Sequence, residues 1–189
     1  MMKLHAASAP LLICLSSLIV VITAVAVTKQ QQSGRLANLT DDELKAMVIR
    51  FERTGCYGDC PAYKLTIYGD GRAEYEGKNN VKQTGRKDGR IEAVDIKSLV
   101  SEFDKAGFFE IDQFTQRDCS CTLCTDMPTA ITEIQVKGAS HRVQHYYGCR
   151  CAPKALWELE QVIDKLARTE QWTGDVSKQG PRGTTCFNK

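Results

Sequence analysis

The sequence predicts an α+β domain: an antiparallel sheet of about five to six strands with two helices packed on one face, in the order strands, helix, strands, helix. Three observations carry this. Two stretches alternate apolar and polar residues with period two, each folding back on a glycine-bearing turn, and two others repeat apolar residues at i, i+3, i+4 and i+7. The turns are too short for the crossover that a parallel pair needs.

Thr40-Asp41-Asp42-Glu43 is a capping-box pattern and predicts a short helix start. The following stretch fits two periods: Leu44, Met47, Val48 and Phe51 suit a helix, whereas Met47, Ile49 and Phe51 against Val48, Arg50 and Glu52 suit a half-buried strand. The strand is preferred. Tyr63, Leu65 and Ile67 alternate with Lys64 and Thr66, and Ala73 and Tyr75 alternate with Arg72, Glu74 and Glu76. Gly69-Asp70-Gly71 between them supplies positive-φ residues for a hairpin, and Asp70 reads as a turn residue. Val81 to Thr84 is expected to add a strand before Gly85.

Ile96, Leu99, Val100 and Phe103 predict the first long helix, ended by Gly107 in a left-handed conformation, after which Phe108 and Phe109 return to the core. A second hairpin follows. Ala130, Thr132, Ile134 and Val136 share one face, Gly138 lies in the Lys137–Ser140 turn, and Val143, His145 and Tyr147 share a face of the return strand. Pro153 suits the first turn of the last helix, whose buried stripe is expected to be Leu156, Leu159, Val162, Ile163 and Leu166.

The ends differ from this middle. Met1 to Pro10 carries Lys3 and no acid, and Leu11 to Val27 is uncharged. At about 1.5 Å per residue that stretch reaches about 25 Å, near the limit between a cleaved signal and a short anchor. Ala24-Val25-Ala26 fits a cleavage site, while Leu11-Leu12-Ile13 before Cys14 lacks the small residues of a lipid-attachment site. Residues 1–27 are therefore a signal peptide or signal anchor, 28–38 a linker, 39–172 a single cysteine-rich domain, and 173–189 a flexible tail. Taking Lys3 from the 25 basic residues leaves 24 against 23 acids. That balance argues against nucleic acid, and a membrane is expected as partner only through an uncleaved N-terminus.

Of nine cysteines, eight follow the apolar stretch: Cys56, Cys60, Cys119, Cys121, Cys124, Cys149, Cys151 and Cys186. An export-like N-terminus before an even number of cysteines reads as a disulfide framework in an extracytoplasmic compartment, periplasmic, secreted or membrane-anchored facing outside. Cys56 and Cys60 would close a small loop worth about 2 kcal/mol, and a bridge over 30 residues or more about 4 kcal/mol. Cys119-Ser120-Cys121 and Cys149-Arg150-Cys151 are C-x-C pairs whose members point the same way in an extended chain. Side by side they can form two cross-links, leaving Cys124 and Cys186 to pair or stay free, with Cys186 the expected leftover.

Cys56-Tyr57-Gly58-Asp59-Cys60-Pro61-Ala62-Tyr63, then Ile67-Tyr68-Gly69-Asp70-Gly71, Tyr75-Glu76-Gly77, Phe108-Phe109 and Asp126-Met127-Pro128 resemble a bacterial domain-of-unknown-function family, the DUF6438 type. The resemblance spans roughly Met47 to Trp172 and is most specific at C-x-G-x-C-P-x-Y. It implies a cell-envelope protein, supports the strand reading after Met47, and carries no activity.

Two further chemistries compete with stapling. Cys119, Cys121, Cys124, Cys149 and Cys151 contain a C-x-x-C and could gather thiolates around zinc, and the same loop or Cys56 with Cys60 could act as a redox dithiol. His141 and His145, about 13 Å apart on a strand, do not help a metal site. Neither is next to a nucleophile turn, and no catalytic residue is assigned. The reading is a non-catalytic binding or structural domain with no cofactor, serving an envelope or extracellular partner, with a thiol-redox or zinc protein as the alternative. A binding groove is expected near Tyr146, Tyr147 and Trp157.

Overall fold

The computed structural model describes residues 36–175, 180, 182 and 184–187. The expected N-terminal signal or anchor lies outside the described residues, as does most of the expected 28–38 linker, although Leu36 within it is buried in the core. Among the described residues no helix is long and apolar enough to cross a membrane.

In chain order the elements are α1 (Asp41–Lys45), β1 (Val48–Arg53), β2 (Ala62–Tyr68), β3 (Arg72–Asn79), β4 (Gly85–Arg90) and α2 (Ala93–Lys105). A 3-10 turn at Phe108–Glu110 leads to β5 (Leu123–Cys124), β6 (Thr129–Val136), β7 (Ala139–Tyr146), α3 (Lys154–Leu166), α4 (Glu170–Thr173) and β8 (Cys186–Phe187). Six strands form one antiparallel sheet in the order β4-β3-β2-β1-β6-β7, and β5 with β8 forms a small second sheet. The fold class is therefore α+β, as the periodicities predict.

Strand β1 is buried between two hairpins. Ile49 is opposite Ile67 on one side and Ile134 on the other, and Phe51 lies between Leu65 and Thr132. Helices α2 and α3 cover that face with Ile96, Leu99, Val100, Phe103, Leu156, Leu159 and Ile163, each fully buried aliphatic or aromatic side chain worth about 1.5–3 kcal/mol. The other face carries Arg50–Glu133, Lys64–Glu52 and Lys78–Glu52 pairs, which stabilise little where water screens them.

The local signals act as physical chemistry requires. Thr40 accepts from the Glu43 amide at 3.2 Å while Glu43 accepts from the Thr40 amide at 2.8 Å, completing the capping box. Gly107, at φ 60, ends α2, and Phe108 then packs edge-on against Phe103 with centroids 5.0 Å apart. Lys137 and Gly138 both take positive φ in the tight β6–β7 turn.

Three expectations are corrected. The added strand is Gly85–Arg90 and not Val81–Thr84, because the Lys82 and Gln83 amides donate to Thr173 and Trp172 carbonyls instead of to a sheet. Pro153 is the residue before α3, not its first turn. Val162 and Leu166 are only partly buried, and Glu160 joins Leu156, Leu159 and Ile163 in the buried stripe. Within the expected tail, 173–189, Thr173 falls in a helix and Cys186–Phe187 in a strand.

Candidate functional site

Alternation along β1 turns Ile49, Phe51 and then Arg53 toward the helices, so an arginine ends the inward row. Register carries this row across the sheet: Tyr63 on β2 is opposite Arg53, Arg53 is opposite Ala130 on β6, and Ala130 is opposite His145 on β7. Glu160 and Asp164, four residues apart on α3, descend onto that row from above. With Tyr147, the residue after β7, six polar groups meet at one end of the core.

They form a continuous hydrogen-bonded chain. Arg53 Nε and Nη2 both reach Asp164 Oδ2 at 2.8 Å, Nε also donates to the Tyr63 hydroxyl at 3.1 Å, and Nη1 donates to the Tyr147 hydroxyl. The Tyr63 hydroxyl in turn donates a hydrogen bond to Asp164 Oδ1, and Tyr147 donates to Glu160 Oε2 at 2.8 Å. Glu160 Oε1 accepts from His145 Nδ1 at 2.9 Å, with both side chains essentially inaccessible. Burial works against the Arg53 charge, but Asp164 and the two phenol oxygens outweigh it and raise the pKa. Burial, reinforced by Asp164, holds the Tyr63 phenol well above its ordinary value; burial with Glu160 does the same for Tyr147 against the pull of Arg53. Both hydroxyls therefore stay protonated and serve as relays between cation and carboxylate.

A cavity of about 1120 Å³ opens over this network. Arg53, Tyr63, Tyr147 and Asp164 contribute to its lining, together with Cys60 and Pro61 from one loop and Met127 and Pro128 from another. Of the aromatic residues expected at a groove, Tyr147 lines this cavity, and Trp157, half-buried, packs on the Tyr147 ring with centroids 4.2 Å apart. Tyr146 is elsewhere. It is buried, its hydroxyl donating to the Cys124 carbonyl at 2.9 Å and accepting from the Met127 amide.

The eight cysteines lie in four pairs: Cys56–Cys60, Cys119–Cys149, Cys121–Cys151 and Cys124–Cys186. The two C-x-C segments lie side by side, their Cα atoms 5.5 and 5.9 Å apart across the two links. Cys119 and Cys149 belong to a satellite core with Leu123 and Tyr146. Gly148 allows β5 to lie against the turn after β7, since a Cβ there would come within 2.0 Å of the Cys124 carbonyl oxygen. Cys121 and Cys124 do not act as a C-x-x-C unit: the sulfurs within 4.8 Å of one another are those of Cys119, Cys121, Cys149 and Cys151, while Cys124 joins Cys186. Cys186, the expected leftover, has a partner because β8 pairs with β5 and brings it opposite Cys124.

Two chemistries are built in. One is a cavity floored by tyrosines and a fully engaged arginine; the other is a compact group of four sulfurs. Sequence reasoning missed Arg53, Tyr63, Glu160 and Asp164 as site residues. The parity of Arg53 with Ile49 and Phe51, and the i, i+4 spacing of Glu160 and Asp164 beside an apolar stripe, were the signals. No curated protein matches the chain. A family model described as a domain of unknown function, DUF6438, matches residues 47–167, which takes in β1 to α3 and the whole polar network, and the chain accordingly belongs to that family.

Proposed function

We propose that the chain is an exported, disulfide-stapled domain of the bacterial cell envelope that acts by binding, with the cavity beneath α3 as the seat of its ligand or partner. One observation carries the proposal: all eight cysteines after Cys14 lie in four cross-links. Such a set persists in an oxidising compartment and is dismantled by cytosolic reductants. The apolar N-terminus supplies the route of export. Support for the cavity comes from the segments that carry the family resemblance, since Cys60, Pro61 and Tyr63 converge there with Met127 and Pro128. Tyr57, 73% exposed on the same Cys56–Cys60 loop, adds an aromatic ring at the surface.

The test is a thiol count on the full chain isolated from the envelope fraction, alkylated with and without reductant and weighed. Without reductant, none of the eight cysteines should be alkylated; after reduction, all eight should be. Four or more free thiols in the untreated protein overturn the stapled reading. For the binding role, hydrogen exchange with added soluble envelope extract should protect residues 56–63 and 161–171 together. Protection confined to other segments removes the cavity as the seat.

A further inference from the structure

The sulfurs of Cys119, Cys121, Cys149 and Cys151 all lie within 4.8 Å of one another, drawn from two chain segments 30 residues apart. Along the C-x-C pairs, Cys119 Sγ is 3.8 Å from Cys121 Sγ and Cys149 Sγ is 3.7 Å from Cys151 Sγ. A tetrahedral zinc ion with Zn–S bonds of about 2.3 Å has sulfur–sulfur edges of about 3.8 Å. Two opposite edges of such a tetrahedron are thus already at length, each set by one C-x-C. The remaining four edges run between the segments: on reduction the two bonded pairs part to non-bonded distance, and the two diagonals, now within 4.8 Å, adjust to the same length.

The backbone around the sulfurs does not depend on the disulfides alone. Cys124 donates to the Gly148 carbonyl at 2.8 Å, Arg150 to Thr122 at 3.1 Å and Cys119 to Thr115 at 3.0 Å, so hydrogen bonds also hold the two segments in place. Access is graded: Cys119 and Cys149 are buried, Cys121 is half-buried, and Cys151 is exposed. An external thiolate meets Cys151 first, and the Cys121 thiolate so released lies 3.8 Å from Cys119, within reach of the inner link.

We infer that these four cysteines form a redox-gated zinc site, closed as two disulfides when oxidised and open as a tetrathiolate when reduced. Each disulfide takes two electrons and two protons from an external dithiol, which becomes a disulfide. Zinc then displaces the four thiol protons, leaving four thiolates around one divalent ion and a net charge of −2. A disulfide-donating oxidant reverses the sequence and releases the metal. The inference goes beyond the stapled resting state, whose own test is the thiol count on untreated protein.

The experiment titrates the full chain, reduced and kept anaerobic, with cobalt(II) as the optical probe and zinc as competitor. One cobalt per chain should bind with a thiolate charge-transfer band, be displaced by zinc, and release about four protons; the oxidised chain should give no band. The Cys121→Ser/Cys151→Ser double variant should lose the band, while Cys56→Ser/Cys60→Ser and Cys124→Ser/Cys186→Ser should retain it. A reduced wild-type chain without the band, or a band that survives in the Cys121/Cys151 variant, overturns the site. Where reduction loosens the fold, zinc should restore the far-ultraviolet dichroism, and failure to do so also overturns it.

Discussion

Tyr147 shows how much depends on one oxygen atom. Its hydroxyl accepts from Arg53 and donates to Glu160, so Tyr147→Phe keeps the ring against Trp157 but leaves a guanidinium proton without its acceptor and a buried carboxylate oxygen with only His145 Nδ1, at 3.1 Å. A cost of about 1–3 kcal/mol is expected in denaturant unfolding of the oxidised protein. Alkaline pH probes the same groups. Tyr63 and Tyr147 have strongly raised pKa values and burial pushes Tyr75 up to about 12, whereas unfolded phenols ionise near 10. Above pH 10 the unfolded chain therefore binds fewer protons than the folded one, and stability falls as pH rises. The contribution of each phenol is fully present below pH 10 and is lost toward its folded value, at up to about 1.4 kcal/mol per pH unit per tyrosine. Tyr147→Phe should shallow the slope by about one proton; an unchanged slope would contradict its burial as a neutral phenol. Much of this was legible, since parity marks Arg53 as inward and His145 shares a face with Val143 and Tyr147. Which carboxylates answer Arg53 was not, because Asp164 lies 111 residues away and reaches it only through packing.

At the level of elements, the paired C-x-C links invite a non-additive response. Cys119–Cys149 and Cys121–Cys151 each span 30 residues and join the same two segments. Once one is closed, the other closes a ring of only a few residues, worth about 2 kcal/mol by loop entropy instead of about 4. Removing either pair as serines should therefore cost about 2 kcal/mol and removing both about 5–6 kcal/mol, a coupling that a double-mutant cycle on chemical unfolding measures. Additive losses would mean that the two segments are held independently. Strand β4 is the clearest case of an element that the pattern hides. Gly85–Arg90 has no apolar alternation because it is an edge strand that faces water, and its pairing with β3 is backbone chemistry. Its Gly89 is specific in one respect: a Cβ there would press within 2.7 Å of the Trp172 ring, which stacks on Tyr75 with centroids 4.9 Å apart.

Across the whole molecule, the described C-terminal residues Gly180 and Arg182 lie against the Cys56–Cys60 loop, and Cys186–Phe187 pair with β5. Asp59 donates its amide to Gly180 at 3.0 Å, Arg182 donates to Tyr57 at 2.7 Å and pairs with Asp59, and Cys186 joins Cys124 across 62 residues. Loop entropy assigns such a link about 4 kcal/mol, but that value assumes that both ends are fixed in the folded state. Thr184 to Phe187 are exposed, so once the bond is cut this end gains freedom in the folded chain as well. Cys186→Ser should therefore cost less than about 2 kcal/mol in global unfolding, while proteolysis after Gly174 speeds up at least several-fold. A full loss of about 4 kcal/mol would show that the segment is integral to the core.

Period and parity, which report only on neighbours along one strand or one helix face, were enough to place the two hairpins, the two long helices, most of their inward side chains and the two C-x-C segments side by side. Partnerships between distant residues came from register and from the descent of α3 onto the sheet. Cys186 finds Cys124, and Arg53 finds Asp164, because strand order and helix packing close distances that spacing along the chain does not encode.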